Sequence, residues 1–297
     1  MVKKSIKPNR WTPYLFIAPN FIGFLVFILI PVLFSLLIAF TDFNIFKGLE
    51  GTSFIGLKNF MNIFSDEWFK AAFWNNLLFA LVTIPSMIFL SAVLATVLND
   101  KVHGKTLMRA IIFIPYISSV VAVAAVWSIL YNPSNGVINQ ALMAIGIENV
   151  PGWLGSLDWA LPALMIIAVW MGLGYNTTIY MSALQGIDKS IYEAADIDGA
   201  GGIQTFFKIT LPMLKNTSFF LVITNIIASF QVFGTVNIMT DGGPGKATTV
   251  LAHYIYVTGF RYHKMGYASA MAWILLLIIF VVTLSQWKIQ KKFEETM

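Results

Sequence analysis

Cysteine is absent from this sequence, which excludes a disulfide framework, a thiolate metal site and a cysteine nucleophile. Charge is scarce as well: 11% of the 297 residues are charged, against roughly 25% in an ordinary soluble domain. Six long runs hold no Asp, Glu, Lys or Arg at all, over residues 14–40, 72–98, 110–131, 159–184, 217–239 and 268–287. Their emptiness argues against a proton relay or an Arg-rich voltage sensor, while sodium coordination by carbonyl and hydroxyl oxygens stays open. The histidines are His103, His253 and His263, with no HExxH pair and no carboxylate cluster, so no metal site is expected. GxSxG is missing, and the glycine-rich stretch 242–248 fails the phosphate-loop pattern twice. Thr240 stands where the first Gly belongs, and Ala247 follows Lys246. The chain is therefore expected to have no catalytic site, to bind no cofactor and to hydrolyse no nucleotide by itself.

What is present is apolar surface in uninterrupted blocks. Hydrophobic residues make up 58% of the chain, with 25 Phe, 13 Met and 9 Trp. A run of about 20 apolar residues crosses the roughly 30 Å of bilayer hydrocarbon as a helix. The expected fold is accordingly an all-α integral membrane protein with six transmembrane helices. Pro19, Pro31, Pro85, Pro115, Pro162, Gly172 and Gly174 fall inside the runs, where neighbouring helices can accommodate them. The domain reading is a basic cytoplasmic tail at 1–13, one six-span domain at 14–287 with a cytoplasmic loop at about 185–216, and a cytoplasmic tail at 288–297.

Orientation follows from Lys and Arg. With both termini inside, thirteen of the nineteen basic residues are cytoplasmic: Lys3, Lys4, Lys7, Arg10, Lys101, Lys105, Arg109, Lys189, Lys208, Lys215, Lys288, Lys291 and Lys292. The fourteen acids divide seven to seven, so the bias is the positive-inside rule and not a net-charge effect. A cleaved signal peptide is disfavoured, because the first run is too long for such a core, lacks a small-x-small cleavage site and leads into further spans.

The loop between the fourth and fifth runs is far more polar than its surroundings and reads as helix, turn, helix. Ser190 and Glu193 have capping-box spacing, Ile191, Ala194, Ala195 and Ile197 support a short helix, and Gly199 to Gly202 end it. On local physics two readings of Glu193 stand. It caps its own helix in a solvated connector, or, with Ala194, Ala195, Asp196 and Asp198, it offers a small face flanked by carboxylates to a partner's Arg or Lys.

The stretch EAADIDGAGGIQTFFKITLP also resembles the EAA---G---------I-LP signature of binding-protein-dependent ABC import permeases, matching at Glu193, Ala194, Ala195, Gly199, Ile209, Leu211 and Pro212. LFIAPNFIGFLVFILIPVLFSLLIAFTDFN, RAIIFIPYISSVVAVAAVWSILYNPSNGVIN, WMGLGYNTTIYMSALQGI and MTDGGPGKATTVLAHYIYVTGF are similar to segments of its carbohydrate-uptake branch, in order along nearly the whole chain. The resemblance implies a type I importer permease in a bacterial or archaeal cytoplasmic membrane. Its implied partners are a second, related permease, two cytoplasmic ATPase subunits that use ATP and Mg, and an extracytoplasmic sugar-binding protein, with no nucleic acid. Glu193, Ala194, Ala195, Asp196, Asp198 and Gly199 would then belong to a coupling helix that docks on the ATPase.

A sugar path needs hydroxyl, amide and aromatic groups without fixed charge. Gly172 and Tyr175 are spaced i, i+3 on the fourth span, and Asn225 and Ser229 i, i+4 on the fifth. Alignment through the EAA and Gly-Gly-Pro landmarks brings these four to the positions that line the sugar site in maltose-type permeases. The competing reading is that they serve helix packing, with Asn176 and Gln231 weaker candidates facing the partner permease. The segment 247–260 is expected to form an amphipathic surface helix on Leu251, Tyr254 and Ile255, meeting the binding protein, folding back into the cavity mouth, or anchoring in the interface without a partner. The expected function is ATP-driven alternating access for a sugar, with an oligosaccharide favoured. The alternatives are a self-sufficient secondary transporter or channel for a small polar solute, and a membrane-embedded enzyme, which lacks its chemistry.

Overall fold

The computed structural model describes residues 11–99 and 104–294. Lys3, Lys4, Lys7, Arg10, Lys101 and His103 lie outside the described residues, as do the side chains of Lys291 and Lys292. The described residues are helical nearly throughout: α1 (Pro13–Ala39), α2 (Lys58–Ser65), α3 (Glu67–Asn99), α4 (Lys105–Ile117), α5 (Val120–Leu130), α6 (Val137–Ala144), α7 (Ala160–Leu184), α8 (Lys189–Ile197), α9 (Lys215–Phe230), α10 (Gly234–Met239), α11 (Leu251–Tyr256) and α12 (Met265–Glu294). Five stretches are long and apolar enough to span a bilayer singly: Pro13–Ala39, Glu67–Asn99, Ala160–Leu184, Lys215–Met239 and Met265–Lys288.

The remaining expected span, 110–131, is not one rod. It is the pair α4 and α5, bent by 101°. Pro115 has no N–H to give the carbonyl one turn back, and its ring crowds that carbonyl. Three residues later the chain leaves the helical region, with Ser118 at ψ 147° and Ser119 at ψ 131°. A π-helical turn, Leu25–Leu29, interrupts the first span just ahead of Pro31, where the Ile30 N–H reaches back to Leu25 O. Here the proline is absorbed without a sharp kink.

Two compact units make up the chain. One takes the described residues up to Ser65 together with Ile255–Ile274, the other Asp66–Tyr254 together with the described residues from Leu275 onward. Within the first, Asn59 is buried and its amide donates at 2.8 Å to both Ala39 O and Thr41 O, tying α2 to the end of α1. A Cβ on Gly266 would collide with the Thr41 carbonyl, so only glycine lets the start of α12 approach that strand of backbone.

The second unit is built on α3 lying along α7. Ala72, Ala80, Ala92 and Ala95 on α3 and Ala160 and Ala163 on α7 are buried. Small side chains allow two backbones to close up where lipid supplies no hydrophobic drive between helices. Gly174 serves the same end against α4, since a Cβ there would sit 2.6 Å from Ile112 O. One apolar cluster joins Ala95 and Leu98 of α3, Tyr180 and Leu184 of α7, and Leu214 and Leu221 at the start of α9. Another joins Phe79, Leu161, Leu164, Val236 and Val250. The first cluster holds the start of α9 and the second the α10 segment after it, and the stretch of α9 from Thr224 to Ser229 lines a cavity.

The 247–260 segment is helical over a shorter stretch than expected and is packed inward. Helix begins only at Leu251 and passes into a π-helical turn, Val257–Arg261. Leu251 and His253 are buried, and Tyr254 donates its hydroxyl to Asp66 Oδ2 at 2.7 Å. Apolar spacing read as a surface stripe is here a packing face.

Candidate functional site

The polar loop carries α8, and its end signals differ from the spacing argument. Asp188, at φ −63° and ψ 129°, is the N-cap, and its Oδ1 accepts from Ser190 N at 2.9 Å. Those hydrogen bonds hold the Asp188 carboxyl below the usual carboxylate range. The cap is therefore charged at neutral pH, and its contribution is lost only as pH falls through that lowered value. Ser190 lies inside the helix, so no Ser190–Glu193 capping box exists. Glu193 is exposed and makes no side-chain hydrogen bond among the described residues.

Gly199 closes the helix at φ 74°, with Ala200 N donating to Ala195 O at 2.9 Å and Gly199 N to Asp196 O at 3.1 Å. This is a Schellman ending, which needs the left-handed residue that glycine supplies. Ala195 is buried under the helix, while Glu193, Ala194, Asp196 and Asp198 are exposed beside Ile197, itself 87% exposed. Ile203 and Phe207 follow, at 79% and 52%. Large apolar side chains standing out of a polar loop mark a surface suited to contact with another protein or with the membrane. The loop is anchored inward by Tyr192 Oη against Thr210 Oγ1 at 3.3 Å and by Ile187, Phe206 and Leu211 on the cluster at the ends of α3, α7 and α9.

Deeper in the same unit, Gly172, Tyr175, Asn225 and Ser229 line one cavity of about 450 Å³. The two helical faces predicted from spacing do converge. Asn176 on α7, a weaker candidate from the sequence, lines it too, and missed were Thr224 on α9 and Phe79, Met87 and Tyr116 from α3 and α4. Asn176 is no surface for a partner permease: it is 1% exposed and accepts from Asn225 Nδ2 at 2.8 Å while donating to Gly172 O at 2.8 Å. Gln231 is exposed and outside the lining.

Tyr116 follows Pro115 in the last turn of α4, and its ring stacks on Tyr175 at 5.3 Å and 23°. A proline next to an aromatic at a span's break was the one available signal for it. Gly172 makes room for Met87, whose Sδ would collide with a Cβ at that position. No lining residue carries a Lys, Arg, His, Asp or Glu side chain. Asn76, buried on α3, donates to Ser229 O at 2.9 Å and accepts from Leu251 N at 2.7 Å, fixing the cavity wall to the segment after the Gly-Gly-Pro turn.

That turn is closed by its own threonines and tied to α3. Asn75 Nδ2 donates to Lys246 O and Thr249 O, Thr248 and Thr249 donate to Gly243 O and Gly242 O, and Lys246 pairs with Glu67 at 3.1 Å. A Cβ on Gly242 would lie 2.8 Å from His253. Among the described residues no cluster of His, Asp and Glu has metal-binding geometry.

Within the second unit, bilayer-length helices α3, α7 and α9 around an uncharged cavity, with one exposed capped helix on a polar loop, define a transport protein of the importer-permease class. The chain belongs to the family described as binding-protein-dependent transport system inner membrane component, whose model matches residues 67–295. It is 37% identical over 293 residues, 98% of this chain and 99% of the relative, to the probable ABC transporter permease protein YurN of Bacillus subtilis (strain 168). It is 36% identical over 291 residues, 96% and 95% respectively, to the lactose transport system permease protein LacF of Rhizobium radiobacter. Its fold matches a chain in the crystal structure of a bacterial ABC transporter involved in import of the acidic polysaccharide alginate. The TM-score is 0.80 at 25% identity, covering 95% of this chain and 96% of that one. A second crystal structure, of a bacterial alginate ABC transporter with a pentasaccharide-bound periplasmic protein, matches with a TM-score of 0.77 at 26% identity, covering 93% and 92%.

Proposed function

We propose that this permease translocates a sugar, delivered by an extracytoplasmic binding protein, through the cavity between α7 and α9, and that α8 couples the movement to ATP hydrolysis on separate subunits. The carrying observation is that the uncharged, amide- and tyrosine-lined cavity sits between the two helices that lead directly into and out of the loop bearing α8. A push on α8 reaches the cavity walls through the apolar cluster shared by α7 and α9. Relatives named for lactose and alginate transport support a carbohydrate as cargo.

In this reading both termini and α8 face the cytoplasm, in accord with the distribution of basic residues. Two ATPase subunits binding ATP and Mg close on α8 and on the corresponding helix of a second permease. The binding protein and ATP both favour the outward-open state and so act together, because a ligand indifferent to the two states shifts neither. Glu193, Asp196 and Asp198 meet basic residues of the ATPase, while Ile197 supplies apolar contact. Tyr175, Asn225 and Ser229 touch the sugar, and Gly172 holds the wall thin. Chemistry is left to the ATPase.

The complex purified through this chain and placed in lipid vesicles tests the proposal. Uptake of sugar is expected only with ATP on the α8 side and binding protein on the other. Uptake by this chain alone, driven by a sodium or proton gradient, would replace the importer with a secondary transporter.

A further inference from the structure

The polar side chains of α9 share a wiring that favours one class of cargo. Each donor on that wall is turned back onto protein oxygens. Thr224 Oγ1 donates to Leu221 O at 3.0 Å, Ser229 Oγ to Ile226 O at 2.8 Å, and Asn225 Nδ2 to Leu221 O at 2.7 Å and Asn176 Oδ1 at 2.8 Å. The amide orientations are forced. Leu221 O and Gly172 O are backbone carbonyls, which only accept, so the Nδ2 atoms of Asn225 and Asn176 must face them. Asn176 Oδ1 then takes the second hydrogen of Asn225, and Asn225 Oδ1 has no partner among the described residues. The α9 wall thus offers oxygen lone pairs from Thr224, Asn225 and Ser229, with its own N–H and O–H groups already spent. Beside them the stacked Tyr116 and Tyr175 present flat apolar surface edged by two hydroxyls.

We propose that the cavity selects an uncharged polyhydroxylated solute, a short neutral saccharide, over phosphorylated or uronic-acid solutes. The inference rests on the permease reading and narrows it. Fixed acceptors match hydroxyl donors, which every face of a neutral sugar carries. A carboxylate or phosphate can only accept once ionised, and on the α9 wall it would meet oxygen lone pairs, with the Tyr116 and Tyr175 hydroxyls as its only side-chain O–H donors and no lining cation, in a site where burying an unpaired charge is costly. An apolar sugar face lies on the tyrosine pair. The chemistry departs from that of the alginate importer, whose cargo is acidic, and agrees with a carrier of lactose-like solutes.

The test uses the full complex with its binding protein in ATP-loaded vesicles, offered a mixture of neutral disaccharides and trisaccharides, sn-glycerol 3-phosphate and oligouronates. Mass spectrometry then reads the vesicle contents. Neutral saccharide is expected to accumulate, with the anions at the level seen without ATP. Thr224→Val and Asn225→Leu should each lower that accumulation roughly fivefold, the effect of one lost hydrogen bond, at unchanged yield of assembled complex. Accumulation of an anion in place of neutral saccharide overturns the cargo class and leaves the permease reading intact. Neutral uptake at wild-type level in both variants overturns the role of the α9 wall. No ATP-dependent accumulation of any solute contradicts the permease reading itself.

Discussion

Glu193→Lys and Gly199→Val are each expected to lower ATP-dependent uptake at least tenfold, while the chain still inserts and its partner permease still co-purifies. Glu193 is exposed, takes no part in capping α8 and makes no side-chain hydrogen bond among the described residues. Reversing its charge therefore leaves the helix intact and acts on whatever docks there. Gly199 acts differently. Nothing lies within 4 Å of a Cβ built on it, so the whole effect of Val is the left-handed φ of 74°, a strain of roughly 1–3 kcal/mol for a β-branched residue. Relief of that strain unwinds the Schellman ending and moves Ile197 and Asp198. Asp188→Ala is the control: it frays the first turn of α8 but keeps the docking face, and most uptake should survive. ATPase co-purification and transport rates distinguish the cases. Wild-type values for both measurements in Glu193→Lys and Gly199→Val would remove α8 from the coupling path.

Combining Tyr175→Ala, Asn225→Ala and Ser229→Ala is expected to abolish measurable uptake, with single substitutions reducing it several-fold and basal ATPase activity kept. A hydrogen bond to cargo is worth about 1 kcal/mol net, so three together approach two orders of magnitude. Asn225→Ala carries an additional cost. It strands the buried Asn176 Oδ1 without its donor, about 1–3 kcal/mol of local stability, and Tyr175→Ala removes the partner of the Tyr116 ring. Gel filtration separates these outcomes. Loss of uptake in an intact complex places the residues on the path. Dissociation at every one of the three positions would assign them to helix packing instead.

The spans were legible because a bilayer imposes length and composition together, and five of the six runs agree with the helices to within a few residues. The bend in 110–131 was not, since hydropathy is blind to backbone direction and Pro115 alone does not distinguish an absorbed proline from a break. Pro31 and Pro85 sit in spans that carry on. Spacing brought Gly172, Tyr175, Asn225 and Ser229 together correctly because i, i+3 and i, i+4 pairs share a face in any helix. The same rule was silent on Met87 and Tyr116, which reach the cavity from other helices, and long-range pairing has no local signature. Asn176 is one residue from Tyr175 and ranks from spacing only as a weaker candidate. Its amide instead reaches round to Asn225, a contact set by the crossing of α7 and α9. At α8, Ser190 had the right spacing to Glu193, yet Asp188 took the cap because the chain enters the helix two residues earlier.

The central claim is that one cavity opens alternately to the two sides of the membrane under ATP control, and a single thiol reports it. The chain has no cysteine, and Ala228 is exposed on the cavity wall, so Ala228→Cys is the single thiol of this chain, and label in the assembled complex is read on this chain after the subunits are separated. Impermeant maleimide supplied from the side opposite α8 should label it when binding protein and non-hydrolysed ATP are both bound, and fail to label it when nucleotide is absent. Glu193→Lys in the same background should lose the difference. Equal labelling with and without ATP in the Glu193-containing complex would contradict the account.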